Sequence, residues 1–333
     1  MNGIWIISRL SHYFAAALVM SVLAFLILLG GCSDLFEPSS KDSQPMRIGS
    51  NVWPGYEPLY LARELGYYEG LPVSMVEYPS ASEVLRAYRN GVIQAAALTM
   101  DEVLMLADSG FDLRVVLLLD VSLGGDVILA QGDIQSMAGL KGKRVGVENT
   151  ALGAYMLSRA LAMHGMVAHD VTLVSLEVNE HESAFKTGHV DAVVTFEPVR
   201  TRLLEVGAKL LFSSQDIPDE IFDVLVVDGE YLAQNRKVVA SLVQRWFQTL
   251  EYQRQNPQRA AEIIARRQQL TPGDYLASMN GLKMVSHAEN IQALGGLSPP
   301  IIEVMERLKN NMLQNQLLQK TVDVEGLVDG GLL

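Results

Sequence analysis

Between residue 46 and about residue 227 the chain alternates short apolar runs with helical stretches, and it does so in two successive rounds. Nothing else in the sequence constrains the fold as much. Apolar runs of strand length separated by helical segments imply parallel strands with helices on both faces. The first round has strands starting at 47–49 and spanning 72–77, 92–98 and 113–119, with helices over 57–65, 82–89 and 101–108. Gly66 and Gly91 close two of those helices, as glycine commonly does. The second round has strands over 127–130, 143–147, 171–175, 190–194, 209–212 and 222–227, with helices over 151–164, 182–186 and 198–206. From Tyr231 the pattern is almost wholly helical, with segments 238–253, 257–267 and 273–282 and another after Pro300. Two α/β units followed by a helical tail point to a bilobal protein.

A single cysteine, Cys32, limits how such a fold is held together. It has no partner for a disulfide, so the core must hold the fold. Its position is also informative. Arg9 is the only charge before the uncharged stretch 14–29, and Leu29-Gly30-Gly31 precede Cys32. A basic start, an apolar run and a small-residue cleavage site make a secretory signal. The arrangement resembles a bacterial lipoprotein signal, with cleavage before Cys32 and acylation of the new terminus by chains such as palmitate. Each buried CH₂ adds ~0.8 kcal/mol, so two or three chains anchor firmly. The other reading is an uncleaved membrane helix, for which a run of 14–29 is slightly short. On the lipoprotein reading residues 1–31 are signal and 32–45 a polar tether. About 300 residues then remain, enough for two lobes.

Composition excludes one broad class. The formal net charge is −12, and it becomes −13 once Arg9 is removed with the signal. A nucleic-acid surface needs clustered Lys and Arg. Catalytic and metal signatures are missing from the sequence: there is no GxSxG, no GxxxxGK[ST] and no HExxH. His164, His169, His181, His189 and His287 form no i,i+4 ligand pair. The expectation is therefore a non-enzyme without cofactor or metal.

In open α/β sheets, ligands sit beyond the carboxyl ends of the strands. That rule selects Asn51, Trp53, Tyr56 and Glu57 after the first strand, and Thr99 and Asp101 after the third. In the second round it selects Glu148, Asn149 and Thr150, then Thr195, Phe196 and Glu197. The loop Ser122 to Asp126 lies where the two rounds join, and its Gly124-Gly125 is most simply a hinge or tight turn. Each candidate has a plainer role beside its binding role. Trp53-Pro54-Gly55 is equally a turn that buries an aromatic. Asp101 and Glu197 suit the positive ends of their helices. Asn149-Thr150 is a capping signal first, and an anion site only if its free N–H groups face the cleft.

The stretch 47–68, RIGSNVWPGYEPLYLARELGYY, resembles the start of the mature fold in substrate-binding proteins of ABC importers. The branch is that for nitrate, taurine, alkanesulfonates and thiamine-pyrimidine precursors. LKGKRVGV at 140–147 and VDAVVTFEP at 190–198 follow in the family's order. The resemblance implies an α/β, bilobal periplasmic-binding-protein fold (type II), two lobes joined by two crossover strands, with a helical C-terminal region. Lobe I would hold 46–125 and 226–333, lobe II 126–225. Hinge closure would trap a ligand between them, and an ABC permease would read the closed form. The implied site comprises Trp53, Tyr56, Glu57, Thr99, Asp101, Asp126, Asn149, Thr150 and Glu197.

Acidic residues, Asp223 included, outnumber basic ones among these candidates. Carboxylates beside Trp53 suit an amine or a pyrimidine-like ring with N–H donors, and disfavour nitrate and sulfonate. The chain thus reads as a monomeric, exported, lipid-anchored receptor with no nucleic-acid partner. The alternatives are a sensor that signals to a membrane kinase or cyclase, and binding of a sulfonate- or nitrate-type anion, which backbone N–H groups at Thr150 could hold. Fungal pyrimidine-synthesising enzymes share the fold, but they use a cysteine-rich motif and pyridoxal phosphate. With Cys32 its one cysteine, this chain lacks that motif.

Overall fold

A computed structural model describes residues 45–148 and 152–333. Cys32, Asn149 and Thr150 lie outside the described residues. The chain begins with β1 (Met46–Ser50), α1 (Glu57–Glu64), β2 (Val73–Glu77), α2 (Ala81–Arg89), β3 (Ala95–Thr99), α3 (Met100–Asp108) and β4 (Leu113–Ser122). It continues with β5 (Asp126–Ala130), β6 (Arg144–Val147), α4 (Leu152–Met163), β7 (Thr172–Ser175), α5 (Val178–Lys186), β8 (Ala192–Phe196), α6 (Val199–Glu205) and β9 (Lys209–Ser213). It closes with β10 (Phe222–Asp228), α7 (Gly229–Gln255), α8 (Pro257–Gln268), α9 (Pro272–Ser278), β11 (Leu282–Met284), α10 (His287–Leu294) and α11 (Ile301–Gln314).

The strands form two sheets, ordered β11-β4-β10-β3-β1-β2 and β7-β6-β8-β5-β9. The parallel strands expected from the alternation are present, and the crossing strands make both sheets mixed. β1 runs parallel to β2 and β3, but β10 is antiparallel to β3 and β4. β6 runs parallel to β7 and β8, but β5 is antiparallel to β8 and β9. The reason is the path of the chain. A strand that crosses between sheets enters its new sheet from the end where the parallel strands finish. So Asp126, first in β5, lies opposite Phe196, last in β8. Asp223, second in β10, lies opposite Thr99, last in β3. The crossings thereby bring two carboxylates to the strand ends where ligands gather.

Both faces of the first sheet are buried, as helices on each side require. Side chains alternate along a strand, and here they alternate between two cores. Ala95 and Ala97 of β3, with Leu225 and Val227 of β10, pack with Leu59 of α1 and Leu242 and Trp246 of α7. Ala96 and Leu98, with Val224 and Val226, pack with Leu85, Leu104, Met305 and Leu308. That second core also takes in Ile128, Val145 and Ala192 of the other sheet.

The helix expected over 273–282 ends at Ser278, and Leu282–Met284 instead pairs antiparallel with β4. The carbonyl of Gly281 accepts the N–H groups of Leu123 and Gly125, each at 2.8 Å, and so ties this turn to the first crossing. Among the described residues no helix is long and apolar enough to cross a membrane.

Candidate functional site

The carboxyl ends of β1, β3, β6 and β8 and the starts of β5 and β10 converge on one cavity. Its walls include Asn51, Trp53 and Tyr56 from the turn after β1, and Thr99 and Glu102 where β3 meets α3. Asp223 of β10 completes that side. Facing them are Asp126, Glu148, His181, Thr195 and Phe196, with Leu152, Gly153 and Met156 from α4. The room between them is about 30 Å³, enough for a water or two. A ring-sized ligand therefore enters only if the two sides part.

Trp53 and Phe196 meet across the cavity edge to face, with centroids 5.9 Å apart and planes at 81°. This is a favoured aromatic geometry. The indole N–H of Trp53 donates to both Asp120 oxygens, at 3.2 and 3.3 Å. Two glycines make this approach possible. A Cβ on Gly55 would lie 1.8 Å from Asp120 Oδ2, and one on Gly125 would lie 2.5 Å from Trp53 Cη2. Gly124, with φ +109°, supplies the turn itself.

Carboxylates dominate the electrostatics. Asp120 and Asp223 are direct cross-strand neighbours on β4 and β10, a pairing that repels when both are charged. The Tyr56 hydroxyl donates to Asp223 Oδ1 at 2.5 Å. Burial pushes Asp120 and Asp126 each up to about 7. Burial, and then Asp120 beside it, raises Asp223 well above the usual carboxylate range. Burial and the neighbouring Asp101 push Glu102 up to about 8. Burial lowers His181 to about 4, so its ring is neutral at pH 7. Its Nδ1 lies 3.1 Å from the Thr195 hydroxyl, and its Nε2 has no partner. None of the described lining residues is Lys or Arg.

Two of these carboxylates bridge the cavity. Glu148, which follows β6, accepts the Ser82 N–H of α2 at 2.7 Å through Oε1, while its buried Oε2 has no partner among the described residues. Glu102 of α3 accepts its own cap N–H from Thr99 at 3.0 Å and the Leu152 N–H of α4 at 3.4 Å.

Of the residues selected from sequence, Asn51, Trp53, Tyr56, Thr99, Asp126, Glu148, Thr195, Phe196 and Asp223 line the cavity. Glu57, Asp101 and Glu197 are buried but are not among its lining residues. Glu57 is held by Arg267, whose Nε donates at 2.9 Å, and by Gln268 at 3.1 Å. Arg267 also lies over the Tyr60 ring, 3.5 Å from its centroid. Glu197 accepts from Arg200 at 2.7 Å and from the Thr201 N–H at 3.2 Å, which is the capping role. Asp101 sits in the first turn of α3, where burial pushes it up to about 6. Glu102, Asp120 and His181 were not selected, because none sits directly after a strand. Asp120 did leave a signal: it is the one carboxylate in an otherwise apolar run, VVLLLDVS.

Residues 53–260 match the NMT1/THI5 like family. The chain belongs to that family. A Bacillus subtilis (strain 168) protein named for the binding of aliphatic sulfonates is 24% identical over 318 residues, which cover 92% of this chain and 93% of its own. The solved alkanesulfonate-binding protein SsuA from Xanthomonas axonopodis pv. citri, bound to MOPS, superposes with a TM-score of 0.74 at 20% identity. That match covers 86% of this chain and 98% of the other. The desulfurization enzyme DSZB superposes with a TM-score of 0.63 at 16% identity, covering 87% and 97%. At these identities the likeness establishes the periplasmic-binding-protein fold. Binding proteins and an enzyme share that fold, so function must be argued from the site.

Proposed function

We propose that this protein is an extracytoplasmic solute receptor that traps a small nitrogen-containing molecule between two lobes and delivers it to an ABC permease. Lobe I comprises 46–125 and 226–333, lobe II 126–225, and the crossings near Gly124-Gly125 and the start of β10 act as the hinge. The proposed ligand contacts are Trp53, Tyr56, Thr99 and Asp126, with Asn149 and Thr150, which follow Glu148 in sequence. Cys32 carries the lipid that keeps the receptor near its permease. The role is binding rather than catalysis, and a sensor with the same closing cleft is the alternative.

One observation carries the ligand reading: Glu102, Asp126, Glu148 and Asp223 line the cavity and no described lining residue is Lys or Arg. Buried carboxylates need a counter-charge or donors. A protonated amine or an N–H-rich ring supplies both, and its flat face suits Trp53 and Phe196. A second reading, an alkanesulfonate, is favoured by a different observation, the names of the Bacillus relative and of the Xanthomonas structure.

The two are separated by mass spectrometry of small molecules released from purified protein, then thermal shift with amines, pyrimidines, alkanesulfonates and nitrate. A ligand at ~100 times its Kd adds ~2.7 kcal/mol. The expected result is a shift from a nitrogenous compound. A shift from simple alkanesulfonates alone would overturn the nitrogen reading, and no shift from any compound would overturn the receptor reading.

A further inference from the structure

Helix N-termini are natural anion sites, because their first N–H groups lack partners within the helix. Two helices aim such ends at this cavity from opposite sides, and at each a described N–H group is held by a carboxylate from across the cavity. In α2 the Ser82 N–H goes to Glu148 and the Glu83 N–H to the Ser80 hydroxyl at 3.2 Å. The Val84 N–H goes to the Ser80 carbonyl at 3.3 Å. Ser80 itself donates to Glu177, a second carboxylate from the far side. In α4 the Leu152 N–H goes to Glu102. The carboxylates that reach these helix ends, Glu148 and Glu102, are each carried by the opposite lobe. Glu148 Oε2, on a cavity-lining residue that is 4% exposed, is buried and without a partner among the described residues, and so marks a place where a donor is wanted.

We infer that Glu102 and Glu148 set the charge selectivity of the cleft, by occupying with the protein's own carboxylates N–H groups at the helix ends that an anionic ligand would use, and by leaving Glu148 Oε2 to receive a ligand N–H. Each carboxylate also clasps the two lobes, so a ligand donor on Glu148 stabilises the same group that closes over it. The inference rests on the nitrogen reading above and adds the residues that enforce it. Asp126, Asp223 and Asp101 are further buried carboxyl groups near the clasp, and no described lining residue is Lys or Arg. An anion would therefore meet carboxyl oxygens and no described lining cation.

The test is calorimetric titration of the full-length chain in detergent with benzylammonium and with ethanesulfonate, in wild type, Glu148→Gln and Glu102→Gln. Glutamine keeps the shape and removes the ionisable carboxyl. Each variant is expected to bind benzylammonium about tenfold more weakly and ethanesulfonate about tenfold more tightly than wild type. Equal losses for both probes would make the residues merely structural and overturn the inference. The ligand reading is judged separately, on wild type: a preference for ethanesulfonate there sinks it, whatever the variants do. If benzylammonium binds to no form, the ethanesulfonate arm decides alone, a gain in the variants supporting the inference and no gain overturning it. The variants are read independently, so one that fails to fold leaves the other to decide.

Discussion

Two buried acidic regions lie close together in this molecule and are built in opposite ways. At the start of α1, Glu57 is fully buried, but Arg267, Gln268 and the Tyr60 ring enclose a complete ion pair. At the cavity, Asp120, Asp223, Asp126, Glu102 and Glu148 are also buried, and no described lining residue brings a cation to them. The first arrangement is finished: charge, donors and packing are all supplied from within. The second is unfinished, and protons or a ligand must complete it. A buried carboxylate is therefore not by itself a sign of function. What marks the site is burial without an internal counter-charge.

The largest expected effect breaks the finished region. Arg267→Ala leaves Glu57 buried and unpaired, and should cost about 3–5 kcal/mol in denaturant unfolding, while the thermal shift given by ligand survives. A loss of ligand response equal to that of a cavity variant would erase the distinction between the regions. Next, Asp126→Asn removes one charge from the unfinished region. It should weaken binding of a cationic ligand about tenfold to a hundredfold, measured by calorimetry, without lowering the melting temperature of the ligand-free protein. A destabilised variant with unchanged affinity would instead place Asp126 with Glu57.

A pH series sharpens the contrast. Asp120 and Asp126 sit at about 7 and Glu102 at about 8 in the folded chain, all raised above their ordinary values. Raised carboxyls hold protons that the unfolded chain has released, so stability falls as pH climbs from about 4 toward 8. His181, lowered to about 4, acts the other way: its contribution is present above its ordinary value and lost as pH falls through about 4. One histidine against several carboxyls leaves the carboxyl trend in control. The ligand-free protein should melt higher at pH 5 than at pH 8, and Asp120→Asn should flatten the difference. A melting temperature that rises steadily with pH would mean the cluster is ionised and compensated. The smallest effect belongs to the surface. Arg254 and Glu251 pair on α7 with side chains 72% and 51% exposed, and solvent screens such a pair. Arg254→Ala should melt indistinguishably from wild type, and a clear drop would show that exposed pairs matter here more than burial predicts.

Much of the fold is legible in the sequence. The β and α segments from Met46 to Asp228 fall near their expected places, because periodicity records which face each residue buries. Strand direction is not legible, since an apolar run such as 222–227 reads the same whichever way it pairs. Trp53, Tyr56, Thr99 and Asp126 stand out because strand ends collect ligands. Glu57 and Glu197 satisfy the same rule but have Arg267 and Arg200 as partners, and the first of these lies 210 residues away. No local pattern announces a partner at that distance.

The sequence by itself determined the two rounds of strand and helix, the acidic balance, the lone Cys32 and the glycines that permit tight turns, because composition and near-neighbour spacing encode these directly. Only the tertiary structure decided which buried acids are neutralised and which are not. The crossings set Asp126 and Asp223 beside the ends of the parallel strands, and β10 brings Asp223 against Asp120. The energy of a buried charge depends on what stands within a few ångströms of it in space, and for these residues those neighbours come from remote parts of the chain.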